Sequence, residues 1–406
     1  MSTLLATAHP ADGTARPAAP ARRARLDAVD VLRGIIIVVM LLDHTRDYVN
    51  RDAFFFNPTD LARTTVPLFF TRWVTHFCAP LFVLLAGVGA SLRLARGRSR
   101  AELARYLVTR GLWLVVLEFT VIRFGLAFDL DYRAFPGMLE VIWAIGVSMV
   151  VLAALVRLRL PVAAVAALGL AIVALHDLAD GWQVPGTAWM LLHRQGMIQV
   201  FGVPLLVAYP IVPWVGVMLL GYALGTVYGW EPGRRRRFLL RTGGAAVAAF
   251  VAGRALDLYG DPAPWSVQPT PVFTVLSFLN TTKNPASLLY LLMTLGPALL
   301  ALAWLERRER GPFGRALVAY GRVPLFFYVV QWFVAHSLAI GLSLAAGRPV
   351  DHLFGMPGAA TPAPGAGFGL GVTYLAWLLG LAVTFPLCRW FAGVKGRRTD
   401  WWLSYL

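Results

Sequence analysis

Charged side chains are scarce in this chain of 406 residues. They make up 14% of the sequence, whereas hydrophobic residues make up 58% and the mean hydropathy is +0.64. This composition excludes an ordinary soluble enzyme, because a soluble surface carries far more charge. We therefore predict an all-α, polytopic membrane protein.

Cysteine and the common catalytic motifs are also missing or rare. The two cysteines, Cys78 and Cys388, lie at opposite membrane faces in the topology predicted below, so they cannot form an intramolecular disulfide. The histidines lack the HxxxH and HExxH spacings of zinc sites. No nucleophile elbow, Walker A or dinucleotide motif follows a predicted strand. We expect no metal.

The net charge of +16 indicates membrane topology rather than a nucleic-acid partner, since no soluble segment interleaves basic and aromatic residues. Residues 1–25 are predicted to be a disordered, basic cytoplasmic tail, and residues 26–406 a single transmembrane domain. No cleavage site follows the first apolar run, so we do not expect a signal peptide.

Apolar runs predict about ten transmembrane helices. They cover residues 32–51, 72–92, 107–126, 137–156, 161–176, 211–229, 242–258, 286–305, 317–345 and 368–388. Segment 187–210 is either re-entrant or an eleventh partial span. Basic residues cluster before the first span and after every second one, which places both termini in the cytoplasm. We predict a multi-pass protein of the inner (plasma) membrane.

The first span carries ionisable groups at an unusual depth. Arg33 and His44 are eleven residues apart, about three turns plus 20°, so they share a helix face roughly 16 Å apart. Asp43 and His44 then lie within the thickness of the bilayer, where an ionisable group is costly and indicates function. The alternative is a structural His44 that is hydrogen-bonded to a neighbouring helix.

Span two opens with a second polar group. Arg72 and His76 are four residues apart and share a face, and Pro80 frees the backbone carbonyl of His76. These features favour a polar pocket at the outer end of the span. A purely structural role for His76 is an equal alternative.

Span nine combines a cation with polar residues further along. Arg322 near its inner end either extends to the cytoplasm or binds an anion that enters from that side. Gln331 and His336 lie deeper, where a histidine needs a partner but does not have to be catalytic.

Five segments in order resemble a known family. They are Leu26–Asp47, Thr75–Leu92, Tyr209–Gly225, Gly321–Val330 and Trp401–Leu406. From about residue 24 onward the chain resembles the transmembrane acyltransferase superfamily, most closely its bacterial branch related to the catalytic domain of heparan-α-glucosaminide N-acetyltransferase.

The resemblance implies transfer of an acetyl group from cytoplasmic acetyl-CoA, the co-substrate, to a hydroxyl or amine of a glycan at the outer face. It makes His44 the catalytic residue, held in one tautomer by Asp43 or Asp47, with Arg33 and Arg322 on the phosphates of acetyl-CoA. We expect the acceptor to contact the polar side chains of spans two and nine: Arg72, His76, Gln331 and His336. The lipid bilayer is the other partner, and a homodimer is compatible with these expectations.

Two other classes of function remain open. A transporter or flippase would use the same His and Asp groups to bind substrate or relay protons. No internal repeat is visible, which weakens a transporter built from inverted repeats. A noncatalytic membrane partner is the third class.

Overall fold

The computed structural model describes residues 19–308, 311–355, 361–398 and 400–405, which are mostly helical. The α-helices in these residues are α1 Ala19–Val49, α2 Val66–Trp73, α3 Cys78–Leu94, α4 Arg100–Leu117, α5 Arg123–Ala127, α6 Val141–Arg157, α7 Val162–Leu175, α8 Thr187–Leu192, α9 Ile211–Val227, α10 Pro232–Leu256, α11 Pro271–Leu279, α12 Leu288–Leu305, α13 Pro312–Gly321, α14 Pro324–Ala345 and α15 Leu370–Arg397. Strands β1 Met138–Leu139, β2 Gly196–Val200 and β3 Val203–Val207 form one small sheet. The all-α prediction therefore describes the bulk of the fold.

Each of the ten predicted spans coincides with helical structure. Among the described residues, six helical segments are long and apolar enough to cross a membrane: Val66–Leu94, Val162–Ala179, Pro232–Leu256, Leu288–Leu305, Pro324–Ala345 and Leu370–Arg397. Helices α6 and α9 are apolar but shorter. The chain is a multi-pass membrane protein, while the count of ten spans and the side of the termini stay predictions.

Segment 187–210 is not an eleventh helical span. Its residues form the six-residue α8 and a β-hairpin of β2 and β3, and β3 also pairs in parallel with β1. The hairpin turns at Phe201 and Gly202, which have φ of 51° and 80°. Positive φ at both turn positions matches the twist of a two-residue hairpin. The six-residue helix and the five-residue strands are each too short to cross a bilayer.

Helix α1 contacts α3, α13, α14 and α15, so much of its surface is covered by protein. A side chain at Gly321 would collide with the backbone carbonyl of Asp30 in α1. Glycine at this position therefore allows α13 to approach α1 closely. This approach places Arg322, the residue after α13, beside the first turns of α1. The charges of α1 thereby meet partners on other helices.

The amino-terminal tail and the two cysteines were also part of the sequence predictions. Helix α1 begins at Ala19, and the rest of the predicted tail, residues 1–18, lies outside the described residues. Cys78 and Cys388 are both buried and free, as the sequence predicts.

Candidate active site

Two cavities are connected to α1, one directly and one through a side chain that binds the helix. The first, here the basic cavity, has a volume of about 520 Å³ and meets the amino-terminal half of the helix. Its six basic residues are Arg33, Arg93, Arg96, Arg110, Arg322 and Lys395. Only Asp27 and Asp30 supply negative charge, and apolar side chains of α3 and α6 form much of the remaining wall. The cavity is therefore suited to an anion with an apolar extension.

The predicted phosphate ligands, Arg33 and Arg322, both line the basic cavity. Arg33 donates hydrogen bonds to Asp30 Oδ1 at 3.2 Å and to the Leu85 carbonyl at 3.0 Å. The half-exposed Arg322 guanidinium lies 3.7 Å from Asp27 and 4.0 Å from Asp30. These acidic partners, which we did not predict, hold the two arginines in place.

From the sequence, the other cations of the basic cavity indicate membrane topology and not an anion site. Arg93 lies over the ring of Tyr106, 3.5 Å from its centroid. Arg110 donates to the carbonyl of Ser404 at 2.7 Å, and Arg96 is exposed. A positive-inside cluster and an anion site have the same sequence signature, so only the fold distinguishes them.

The second cavity, here the polar pocket, has a volume of about 310 Å³. Arg72 and His76, both predicted to bind substrate, line it. The other polar side chains in its wall are Asn57, Thr59, Gln195, Asn280, Thr281, Thr282, Lys283 and Asn284. Such a wall suits a polyhydroxylated molecule, since it offers both donors and acceptors.

Asp43 connects α1 to the polar pocket. Its carboxylate accepts hydrogen bonds from Arg72 Nη1 at 2.7 and 3.0 Å and from Thr75 Oγ1 at 2.7 Å. Arg46 Nη1 lies 2.7 Å from Asp43 Oδ1. The carboxylate is therefore occupied by two arginines and a hydroxyl. This corrects the expectation that Asp43 holds the imidazole of His44.

Asp47 does not hold the imidazole either. It is exposed, and its Oδ1 lies 2.5 Å from Arg46 Nη2. The Nδ1 atom of His44 is buried without a hydrogen-bond partner in the described part of the chain. No carboxylate thus sets the tautomer of His44 in this structure.

His44 lines neither cavity, but its neighbours connect it to both. Its half-buried ring is 3.8 Å from the Trp332 ring, centroid to centroid. The ring centroid of Trp332 lies 6.1 Å from that of Tyr328, and Tyr328 lines the basic cavity. On the other side, Asp43, the neighbour of His44 in sequence, binds Arg72 of the polar pocket.

His336 and Gln331 line neither cavity. The buried His336 ring is stacked between Tyr48 and Phe128, and its Nδ1 lies 3.1 Å from the Gly125 carbonyl. Gln331 is also buried, and its amide has no hydrogen-bond partner among the described residues. The structure therefore does not bring these two residues to the polar pocket that Arg72 and His76 line, and their contact with an acceptor stays a prediction.

The backbone carbonyl of His76, which Pro80 is predicted to free, binds a side chain of another helix. It accepts a hydrogen bond of 2.7 Å from the Tyr290 hydroxyl. The His76 ring lies edge-on to Tyr290, with centroids 5.6 Å apart. Helix α12 is thereby attached to the wall of the polar pocket.

The positions of the two lysines are a signal of the cavities that the sequence analysis missed. Only two residues of the 37 basic ones are lysines, and Lys283 lines the polar pocket while Lys395 lines the basic cavity. Burial and, to a smaller extent, the positive charge of Arg72 together lower the pKa of Lys283 to about 8, against the opposing effect of Asp43. Lys283 thus loses its proton close to physiological pH.

Comparison with known proteins decides the family. The family described as "Heparan-alpha-glucosaminide N-acetyltransferase, catalytic" matches residues 25–259, more than half of the chain. The chain belongs to this family. The match to this N-acetyltransferase family includes α1 from residue 25 onward and five of the eleven residues that line the polar pocket, and it implies an acyltransferase activity in the membrane. No curated protein matches the chain.

Proposed function

We propose that this membrane acyltransferase passes an acetyl group from acetyl-CoA to an amine or hydroxyl of a glycan. The observation that supports this most is that the neighbours of His44 reach two cavities of different chemistry, Trp332 through Tyr328 and Asp43 through Arg72. Arg33 in the basic cavity and Asp43 beside the polar pocket are ten residues apart, about 15 Å along α1. A donor and an acceptor can thus approach one histidine from two ends.

The basic cavity is the proposed donor site. Guanidinium groups match phosphate oxygens in shape and charge, so the arginines would bind the phosphates of acetyl-CoA. The apolar wall contributed by Leu85, Val141 and Ile142 suits the thin pantetheine arm. That arm would point toward Tyr328 and present the thioester near His44. By the positive-inside rule, this cavity opens to the cytoplasm.

The polar pocket is the proposed acceptor site. Its amides and hydroxyls match the donors and acceptors of a sugar. Lys283 and Arg72 place positive charge beside a bound amine, which lowers the pKa of that amine and favours its neutral, nucleophilic form. The pocket would open on the face opposite to the cytoplasm.

His44 is the proposed general base. The acceptor nitrogen or oxygen attacks the thioester carbonyl and gives its proton to the imidazole, and the sulfur of CoA leaves and is protonated. An acetylated His44 would divide the same transfer into two steps. Asp43 acts differently from our first expectation, because it orients Arg72 and Arg46 rather than the imidazole.

Calorimetric titration of acetyl-CoA into the purified full chain tests the proposal. We expect saturable binding that Arg33→Ala weakens by about 10-fold or more, since a hydrogen bond to a charged group contributes roughly 1.5 to 3 kcal/mol. Arg241→Ala is the matched control, because Arg241 is exposed and lines neither cavity. Absence of binding in folded protein would reject the donor and favour the transporter alternative.

A further inference from the structure

Three side chains that can bind metal ions meet in the segment between α7 and α8. His176 opens the 3₁₀ turn His176–Ala179, Asp180 follows that turn, and His193 directly follows α8. One ligand atom from each of His176, Asp180 and His193 lies within 4.8 Å of the other two. These residues line neither the basic cavity nor the polar pocket.

His176 is buried with unused hydrogen-bonding capacity. Its exposed fraction is 7%, and neither ring nitrogen has a hydrogen-bond partner in the described residues. Nδ1 lies 2.9 Å from Asp177 Oδ1, but without hydrogen-bond geometry. A buried imidazole with an unpartnered nitrogen is unfavourable, so the arrangement calls for a ligand.

The neighbouring groups are suited to a cation. His193 is also buried, and its Nε2 lies 2.8 Å from Asp180 Oδ1. Asp177 Oδ2 accepts a hydrogen bond of 2.8 Å from the backbone N–H of Leu288. Within the described residues, neither Asp177 nor Asp180 forms an ion pair with a lysine or arginine. Two carboxylates without basic partners beside two imidazoles leave local negative charge uncompensated.

We propose that His176, Asp180 and His193 bind a divalent transition-metal ion of the zinc class. Two imidazole nitrogens and one carboxylate are a common ligand set for such ions and leave the fourth tetrahedral position for water. Zinc binds these ligands at about 2.0 to 2.2 Å, which places tetrahedral ligand atoms about 3.4 Å apart. Side-chain rotations that draw the three groups closer by about 1 Å would complete the site.

The site would fix a wall of the polar pocket. His193 is two residues before Gln195, which lines that pocket, and three residues before β2. A metal that joins His193 to the end of α7 would therefore hold Gln195 and the start of the hairpin in position. Metal binding itself does not depend on the proposed acetyl transfer, so the two can fail separately.

Zinc titration of the full chain tests the proposal. The protein is purified with a tag that contains no histidine, stripped with a chelator, and titrated with Zn²⁺ in a calorimeter, with bound metal counted by mass spectrometry. We expect one equivalent in the wild type, lost in His176→Ala and in His193→Ala. His352→Ala is the control, because His352 lies in a different turn, Asp351–Leu353.

Cobalt gives a second measurement on the same proteins. Co²⁺ bound by nitrogen and oxygen in a tetrahedral site absorbs visible light much more strongly than hydrated Co²⁺. We expect this absorption in the wild type, and Asp180→Asn should change it while keeping the side-chain shape. Absence of a stoichiometric metal in the folded wild type would overturn the proposal, as would one equivalent that persists in both histidine variants. The wild-type titration decides even if a variant does not fold.

Discussion

The basic cavity is lined in part by α1, and the polar pocket is joined to α1 through Arg72 and Asp43, but the walls of the two differ in chemistry. The basic cavity combines six cations with apolar side chains, whereas the polar pocket has amides, hydroxyls and two cations apart from His76. The first arrangement selects for phosphate and a long apolar arm, and the second for a sugar-like molecule. The contrast supports our proposal of two binding sites, one for the donor and one for the acceptor.

The largest expected effect is the loss of turnover in His44→Ala. General base catalysis contributes about 10² to 10⁴ in rate, so transfer should fall by that factor while acetyl-CoA still binds. Thiol release from acetyl-CoA, measured with a panel of amino sugars and neutral sugars, gives the rate. His352→Ala is the matched histidine control. Unimpaired turnover in His44→Ala would end the proposed role.

Asp43→Ala should separate stability from chemistry. It leaves Arg46, whose side chain is only 2% exposed, and Arg72 without their shared carboxylate. Removing one partner of a buried ion pair costs about 3 to 5 kcal/mol, so the free energy of unfolding should fall by that order. The free energy of unfolding in detergent is measured for this variant and for the control Asp52→Ala. The Asp52 side chain is 46% exposed, and its Oδ1 lies 3.9 Å from Arg51 Nε. Equal stability of the two variants would contradict the structural role of Asp43.

Arg96→Ala should affect only the donor side. Arg96 is exposed in the basic cavity, and loss of one charge-assisted hydrogen bond to phosphate corresponds to roughly 1.5 to 3 kcal/mol, or about 10- to 100-fold in affinity. The Kd for acetyl-CoA should rise while the KM for the acceptor stays the same. A rise in the acceptor KM alone would reverse the assignment of the two cavities.

The smallest effect is a change in the pH dependence of stability in Lys283→Met. Burial, assisted by Arg72, lowers the pKa of Lys283 to about 8 from its ordinary value of 10.5. Between these values the unfolded chain holds a proton that the folded chain lacks, so this group makes folding stability rise with pH. The Tm measured from pH 8 to 10.5 should rise less in Lys283→Met than in the wild type. Arg241→Met should keep the wild-type slope, and an unchanged slope in Lys283→Met would refute the assignment.

The sequence predicted the helices better than the contacts between them. The ten predicted spans all coincide with helical structure, because their length and composition depend on local residues alone. The hairpin of β2 and β3 was missed, since its apolar run of strand residues resembles a buried helix. Arg72 and His76 were correctly placed together at a polar pocket, because their helical spacing is a local property.

Partners of charged side chains were harder to predict. The sequence suggested that Asp43 serves its neighbour His44, but Asp43 binds Arg72 instead, 29 residues further along. His176 and His193 are 17 residues apart and match no metal motif, so the folded turn and α8 are needed to bring them together. Pairings of this kind depend on how each helix is rotated against the next.

The sequence by itself determined that this is a helical membrane protein and predicted ionisable groups deep in its first span. It did so because the scarcity of charge and the spacing of Arg33, Asp43 and His44 are properties of one continuous segment. Only the tertiary structure decided that Arg33 and Arg322 share a cavity with four further cations, and that Asp43 joins two arginines. Those contacts depend on close approach between distant helices, as where Gly321 lets α13 meet the backbone of Asp30.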